Sequence, residues 1–263
     1  MARDMYRKLN QAGATPREVS EVVNNLVEGK SNNTGTITLN TGNATTTTIY
    51  DERIGYNSVI LLMPTSANAV LSSSPYGAFQ DTSDQTIAST TTAYAMALNT
   101  TDYSNGVYLS NSSRINVRNA GVYNLQWSGQ FQNTDTQLHD VSVWLRKNGT
   151  DITGSTGFIS IPNTHGGIDG HIIAGWNYFI ELAANDYIEL YWSATNTNIS
   201  LQYYGTQTSP TRPATASLIA TMNYVSGTQA NNVYISSRSK GSAVLTHFAN
   251  DISGKTYDYI IVA

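Results

Sequence analysis

RINVRNAGVYNLQWSGQF, Arg114 to Phe131, is the stretch whose reading decides the fold of this chain. Ile115 and Val117 alternate with polar neighbours, Asn119-Ala120-Gly121 turns the chain, and the alternation resumes from Val122 to Trp127. A period of two sends successive side chains to opposite faces of a strand, so one face is buried and the other is wet. The flanking sequence repeats the pattern. Asp140–Leu145 carries Val141, Val143 and Leu145 on one side, and Lys147-Asn148-Gly149-Thr150 has the Asn-Gly step of a two-residue hairpin. Strands are also expected over Val107–Leu109, Ala174–Leu182, Tyr187–Trp192, Ser200–Tyr204 and Ser217–Tyr224, with Ala184-Asn185-Asp186 as a turn. Short strands at regular spacing with turn residues between them predict an antiparallel β-sandwich.

Composition points the same way. Charged residues make up 12% of the 263, about half the usual share of roughly 25%, while hydrophobics at 40% still suffice for a core. Thr, Ser and Asn replace the missing charge, and Tyr outnumbers Phe by 17 to 5. Net charge is −4 and no Lys/Arg run occurs, so the basic stripe of a nucleic-acid groove is missing. No apolar run approaches the ~18 residues of a membrane span, and no charged-then-apolar leader pattern opens the sequence. Without cysteine there are neither disulfides nor thiolate metal sites.

Residues 1–30 differ from the rest, with nine charged side chains of both signs. Thr15-Pro16-Arg17-Glu18 reads as a capping box with proline at the first helical position. Val19, Val22, Val23, Leu26 and Val27 then recur at helical spacing, and Gly29 follows as a C-cap, predicting a helix over about 16–28. So short a helix is marginal alone in water, so its stripe is expected to pack on this protein's own β domain, on another copy, or on a different protein. Beyond it, Thr36–Leu39 and Thr45–Tyr50 are expected strands, and the continuous apolar run Ser58–Met63 predicts a strand buried on both faces.

The segments NAGVYNLQWSGQF, VWLRKNGTDI, WNYFIELAANDYIELYWS and SLIATMNYV together resemble the C1q/TNF-like jelly rolls carried by bacteriophage virion proteins. PREVSEVVNNLVEGKSN resembles the start of phage fibre and decoration proteins, and DERIGYNSVILLMPTSANA resembles a block common in phage structural proteins. The block that normally follows it, matched here by Val233–Ser237, Lys240-Gly241-Ser242 and Leu245-Thr246-His247, lies at the far end of the chain. The resemblance therefore implies three parts. Residues 1–30 are an anchor, 31–74 with 227–263 form a small split β base, and 75–226 are an inserted jelly roll.

It further implies a non-enzymatic virion protein: a homotrimeric head fibre or capsid decoration protein. Its partners would be its own copies, other capsid or tail proteins through residues 1–30, and host-surface glycan. A tail-borne receptor-binding protein is the alternative, and a depolymerase a lesser one. Four tyrosines, Tyr103, Tyr108, Tyr203 and Tyr204, are candidates for exposed glycan contact, with packing at a trimer axis the competing role. The four tryptophans, Trp127, Trp144, Trp176 and Trp192, lie within strands and are expected in the core.

No catalytic residue and no cofactor is expected. His165, Asp169 and His171 could offer two imidazoles and a carboxylate to a metal, but the glycine-rich segment fits a surface loop and no zinc-type spacing supports a site. His139 is read as a loop residue, His247 as structural, and Asp186 as a turn cap. Asn-x-Ser/Thr triplets at Asn43, Asn99, Asn111 and Asn148 follow from the Asn- and Thr-rich composition.

Overall fold

The computed structural model describes residues 6–70, 74–226, 233–250 and 252–262. The first five residues of the expected anchor, and parts of both expected junctions near 71–73 and 227–232, lie outside them. The fold is all-β, with antiparallel sheets. The chain divides into two compact units: Met1–Ser72 with Asn232–Ala263, and Ser73–Asn231 between them. We call them the discontinuous and continuous units.

The discontinuous unit begins with a helix, Pro16–Val27, that has the complete capping box. Thr15 Oγ1 accepts from the Glu18 amide, and the Thr15 amide donates to Glu18 Oε2 at 2.8 Å, which holds the Glu18 carboxyl below its ordinary range. Gly29 sits at φ +75°, and the Gly29 and Lys30 amides donate to the Leu26 and Asn25 carbonyls, closing a Schellman turn that a Cβ would strain. No residue of the helix is buried.

Two three-stranded sheets follow. In one, Thr256–Val262 lies between Thr34–Thr38 and Val59–Pro64; in the other, Ser242–Asn250 lies between Ala44–Tyr50 and Tyr234–Ser239. Both central strands thus come from the C-terminal stretch, and neither stretch builds a sheet alone. Leu39, Ile49, Ile54, Ile60, Leu245, Tyr259 and Ile261 form the core. Asp51 organises one rim of it. Arg53 Nε donates to Asp51 Oδ1 at 2.7 Å and the Tyr259 hydroxyl to Oδ2 at 3.0 Å, holding the Asp51 carboxyl down to about 2. His247 is buried, with Nδ1 donating to the Phe248 carbonyl and Nε2 accepting from Thr47.

One expectation fails here. The run Ser58–Met63 is not buried on both faces: Ile60 is buried, but Val59, Leu61 and Met63 are 52, 58 and 68% exposed. Their strand is the edge of a three-stranded sheet covered on one side, so alternation by burial prevails over continuous hydrophobicity.

The continuous unit is a sandwich of two seven-stranded sheets. In the first, Gly121–Asn133 is central. Gly170–Leu182 pairs with it through all thirteen residues, while Leu218–Ser226 and Ile199–Leu201 share its other edge. Tyr76–Asp81 and Thr100–Asn105 continue beyond Leu218–Ser226, and Gln85–Thr86 beyond Ile199–Leu201. The second sheet runs Thr150–Asp151, His139–Lys147, Tyr187–Ala194, Arg114–Val117, Val107–Ser110, with Gly157–Ile161 and Tyr94–Ala95 as side strands.

The inward halves of the alternating strands meet in one core. Tyr123, Leu125, Trp127 and Phe131 of the first sheet face Val141, Val143, Leu145, Leu190 and Trp192 of the second, and the Phe131 and Trp192 rings meet at 5.9 Å. The Gly-x-Tyr step has a physical role: buried Tyr123 donates its hydroxyl to the Asn119 carbonyl at 2.8 Å, tying the strand start to the turn before it. Burial pushes that hydroxyl's pKa up, with Tyr224 adding to it. Asn148 and Gly149 adopt φ +51° and +80°, as a type I′ hairpin requires.

Candidate functional site

Alternation that fills the core also dictates what the sandwich shows to its surroundings, and its two outward faces differ in chemistry. On the first sheet, Gly121–Asn133 turns Asn124, Gln126, Ser128, Gln130 and Gln132 outward, opposite its buried residues. Register places Phe179, Asn177, Gly175 and Ile173 on one side of them, and Asn223, Thr221 and Ile219 on the other, followed by Tyr76, Ala78 and Tyr103. Ile173 and Phe179 are each 65% exposed and Tyr103 71%. The middle of this face carries no charged side chain; Glu181, in register with Val122, and Asp102, bonded to Gln80, stand at its rim. Asn124 Oδ1, screened from solvent, has no hydrogen-bond partner among the described residues.

On the second sheet, His139–Lys147 turns Ser142, Trp144 and Arg146 outward, Tyr187–Ala194 turns Tyr187, Glu189 and Tyr191 outward, and Arg114, Asn116 and Tyr108 follow. Three guanidiniums lie over tyrosine rings: Arg146 on Tyr191 at 3.9 Å, Arg114 on Tyr187 at 4.3 Å, and Arg118 on Tyr108 at 4.4 Å. Glu189, only 5% exposed, accepts from Ser113 Oγ at 2.7 Å and lies 3.5 Å from Arg114 Nε. Arg146 Nε and Trp144 Nε1 both donate to Asp151 Oδ1, at 2.5 and 2.7 Å, and together hold the Asp151 carboxyl below its ordinary range. Phe158, on the same face beside Ser142, is 80% exposed.

The four candidate tyrosines are dispersed over these surfaces. Tyr103 is on the uncharged face and Tyr108 lies under Arg118 on the other. Tyr203 and Tyr204 follow the short strand Ile199–Leu201, where the Tyr203 amide donates to Asp84 and the Tyr204 hydroxyl meets His171 Nδ1 at 3.3 Å. Burial raises the pKa of Tyr204, aided by Asp169 and Asp84.

His165, Asp169 and His171 have separate roles. The His165 backbone forms a tight bridge with Ile168, Asp169 accepts from Gln132 Nε2 at 2.6 Å, and His171 meets Tyr204. Among the described residues no group of three or more His, Asp or Glu side chains comes together to hold a metal ion. No helix of the described residues is long and apolar enough to cross a membrane. Asp186 caps its turn. Burial works against its ionised form, but bonds from Lys147, Asn148 and the Ala183 amide outweigh it and lower its pKa. His139 opens a strand and shares a 2.8 Å contact with Asp135. Of the Asn-x-Ser/Thr asparagines named above, Asn43, Asn111 and Asn148 take positive φ, so backbone turns account for them.

Two tryptophans depart from expectation. Trp127 and Trp192 are buried, but Trp144 lies on the outward arginine-bearing face and Trp176 is half exposed. Reading Trp144 as core overlooked its phase, because Val141, Val143 and Leu145 already occupy the inward positions of its strand. The same phase rule, applied to Tyr187–Ala194, would have put Tyr187, Glu189 and Tyr191 on one face of their strand from sequence alone.

In the discontinuous unit, Val19, Val23, Leu26 and Val27 are exposed and Val22 is partly so. A groove of about 740 Å³ runs over the outward side of the sheet centred on Thr256–Val262, lined by Tyr6, Lys30, Leu61, Met63 and Ile260 among others. Among the described residues nothing covers either apolar surface. Comparison with known protein families and with curated proteins finds no match for this chain.

Proposed function

We propose that this is a non-enzymatic structural protein of a bacteriophage virion, a homotrimeric head fibre or capsid decoration protein with a C1q-like domain displayed outward. The observation that carries the assembly part is the uncharged outward face of the first sheet. A face of amides and hydroxyls edged by exposed Ile173, Phe179, Ile219, Tyr76 and Tyr103 can be buried against identical copies while Glu181 and Asp102 stay at its rim in water. Closed rotational symmetry lets every copy use the same surface, and three copies around one axis leave none unpaired.

The uncovered stripe of Val19, Val22, Val23, Leu26 and Val27 supports the anchoring part, in which residues 1–30 dock on another capsid or tail protein. Val22→Asp with Leu26→Asp tests it, since no helix residue is part of either core. The double variant should keep the unfolding midpoint of the parent and be missing from purified particles. Full incorporation would place the anchor elsewhere.

A further inference from the structure

We propose that the outward face of the arginine-bearing sheet binds an acidic polysaccharide whose sugar rings carry carboxylates. The proposal deepens the display role above and rests on it. The Arg114 and Arg118 guanidiniums lie over the rings of Tyr187 and Tyr108. Tyr187 and Tyr108 both register with Asn116 on the strand between them, so the backbones of the two tyrosines under the cations stand about 10 Å apart, two strand spacings. Asn116 fixes that spacing, since its amide nitrogen donates to the Tyr108 and Arg114 carbonyls and to Ser110 Oγ.

Neither guanidinium donates a terminal N–H to an acceptor among the described residues, and Arg118 has no carboxylate partner among them. A guanidinium whose face is occupied by a ring keeps its N–H edge free, and that edge matches a carboxylate through two parallel bonds. Farther along the same face, the exposed ring of Phe158 offers an apolar plane to the C–H side of a pyranose.

Two cations with the neutral, internally bonded Asn116 between them fit a polymer with a carboxylate on every second sugar better than one with a phosphate on every unit. Glu189, between Arg146 and Arg114, and Asp151, on the edge strand beyond Arg146, disfavour a backbone charged on every unit more than a polymer charged on every second one, and the chain is net negative. The ligand is an extended chain because the face is long. Phe158 and Arg118 lie about 30 Å apart, four steps of two residues along the strands and three strand spacings across them.

The test uses the full chain and hyaluronate, a polymer alternating a uronate with a neutral sugar, by calorimetry at low salt. Dextran serves as the neutral control and single-stranded DNA as the phosphate control. Hyaluronate should bind, with affinity falling as salt rises, and dextran should bind at least tenfold more weakly. Arg118→Gln should weaken hyaluronate binding tenfold or more, Arg118→Lys should restore part of it, and Phe158→Ala should weaken it severalfold. Both side chains lie outside the core, so these variants stay folded. No hyaluronate binding by the parent, equal binding by Arg118→Gln, or tighter binding of the DNA would overturn the proposal. Sedimentation of the same samples separates this from the assembly reading: a monomer that binds hyaluronate removes only the trimer, and a trimer that does not removes only the polysaccharide site.

Discussion

The two outward faces of the sandwich come from the same alternation and the same core, yet one is nearly free of charge and the other holds three stacked arginines with two carboxylates. Burial against the opposite sheet fixes every second residue of each strand and leaves the others open to selection for contact. The magnitudes then separate the faces. An amide that loses water without a partner costs roughly 1–3 kcal/mol, and a symmetric neighbour can supply that partner. An unpaired buried ion costs several kcal/mol. Only the uncharged face can be covered by another copy cheaply, whereas the arginine face is better kept wet and used for an anionic ligand.

The comparison can be broken most forcefully on the uncharged face. Ile173→Glu with Phe179→Glu removes two exposed apolar side chains and introduces charge where copies would meet. At ~1.5–3 kcal/mol for each buried side chain, association should weaken at least 100-fold, and the mass by light scattering should fall to that of one chain with the unfolding midpoint kept.

On the other face, Glu189→Gln leaves Arg114 beside a neutral amide and should cost about 2 kcal/mol in denaturant unfolding without altering the mass. A loss of trimer with this variant would merge the two roles the comparison keeps apart.

Acid sharpens the contrast further. Asp151 has a folded pKa depressed by Arg146 and Trp144, so its contribution to stability is present above its ordinary pKa. That contribution is lost as pH falls through the folded value. Carboxyl NMR should place the Asp151 titration below the ordinary aspartate range, and Arg146→Met should move it upward. The smallest effect is Arg146→Lys, which keeps the charge but loses the guanidinium over Tyr191 and its Nε bond to Asp151. A loss of about 0.5–1 kcal/mol is expected in thermal unfolding.

The all-β antiparallel fold was legible because the alternation is strong. Val141, Val143 and Leu145 announced their face, and Asn148-Gly149 announced the hairpin. Thr15, Glu18 and Gly29 likewise marked the helix, since capping chemistry is local in sequence. Val59–Met63 misled because hydrophobicity alone cannot say whether a second layer exists to cover it. The arginine face was missed for another reason. Arg114, Arg146, Glu189 and Tyr108 lie on four strands, and only the register brings them together. Tyr103, Tyr108, Tyr203 and Tyr204 were chosen by residue type, without asking to which face each strand turns them.

Sedimentation velocity on the purified full chain at micromolar concentration tests the central claim most directly, that the uncharged sheet face is covered by identical copies. The account predicts one species at three times the chain mass, which Ile173→Glu with Phe179→Glu converts to one chain mass. A stable monomer of the parent at that concentration, or a trimer indifferent to both substitutions, would contradict it.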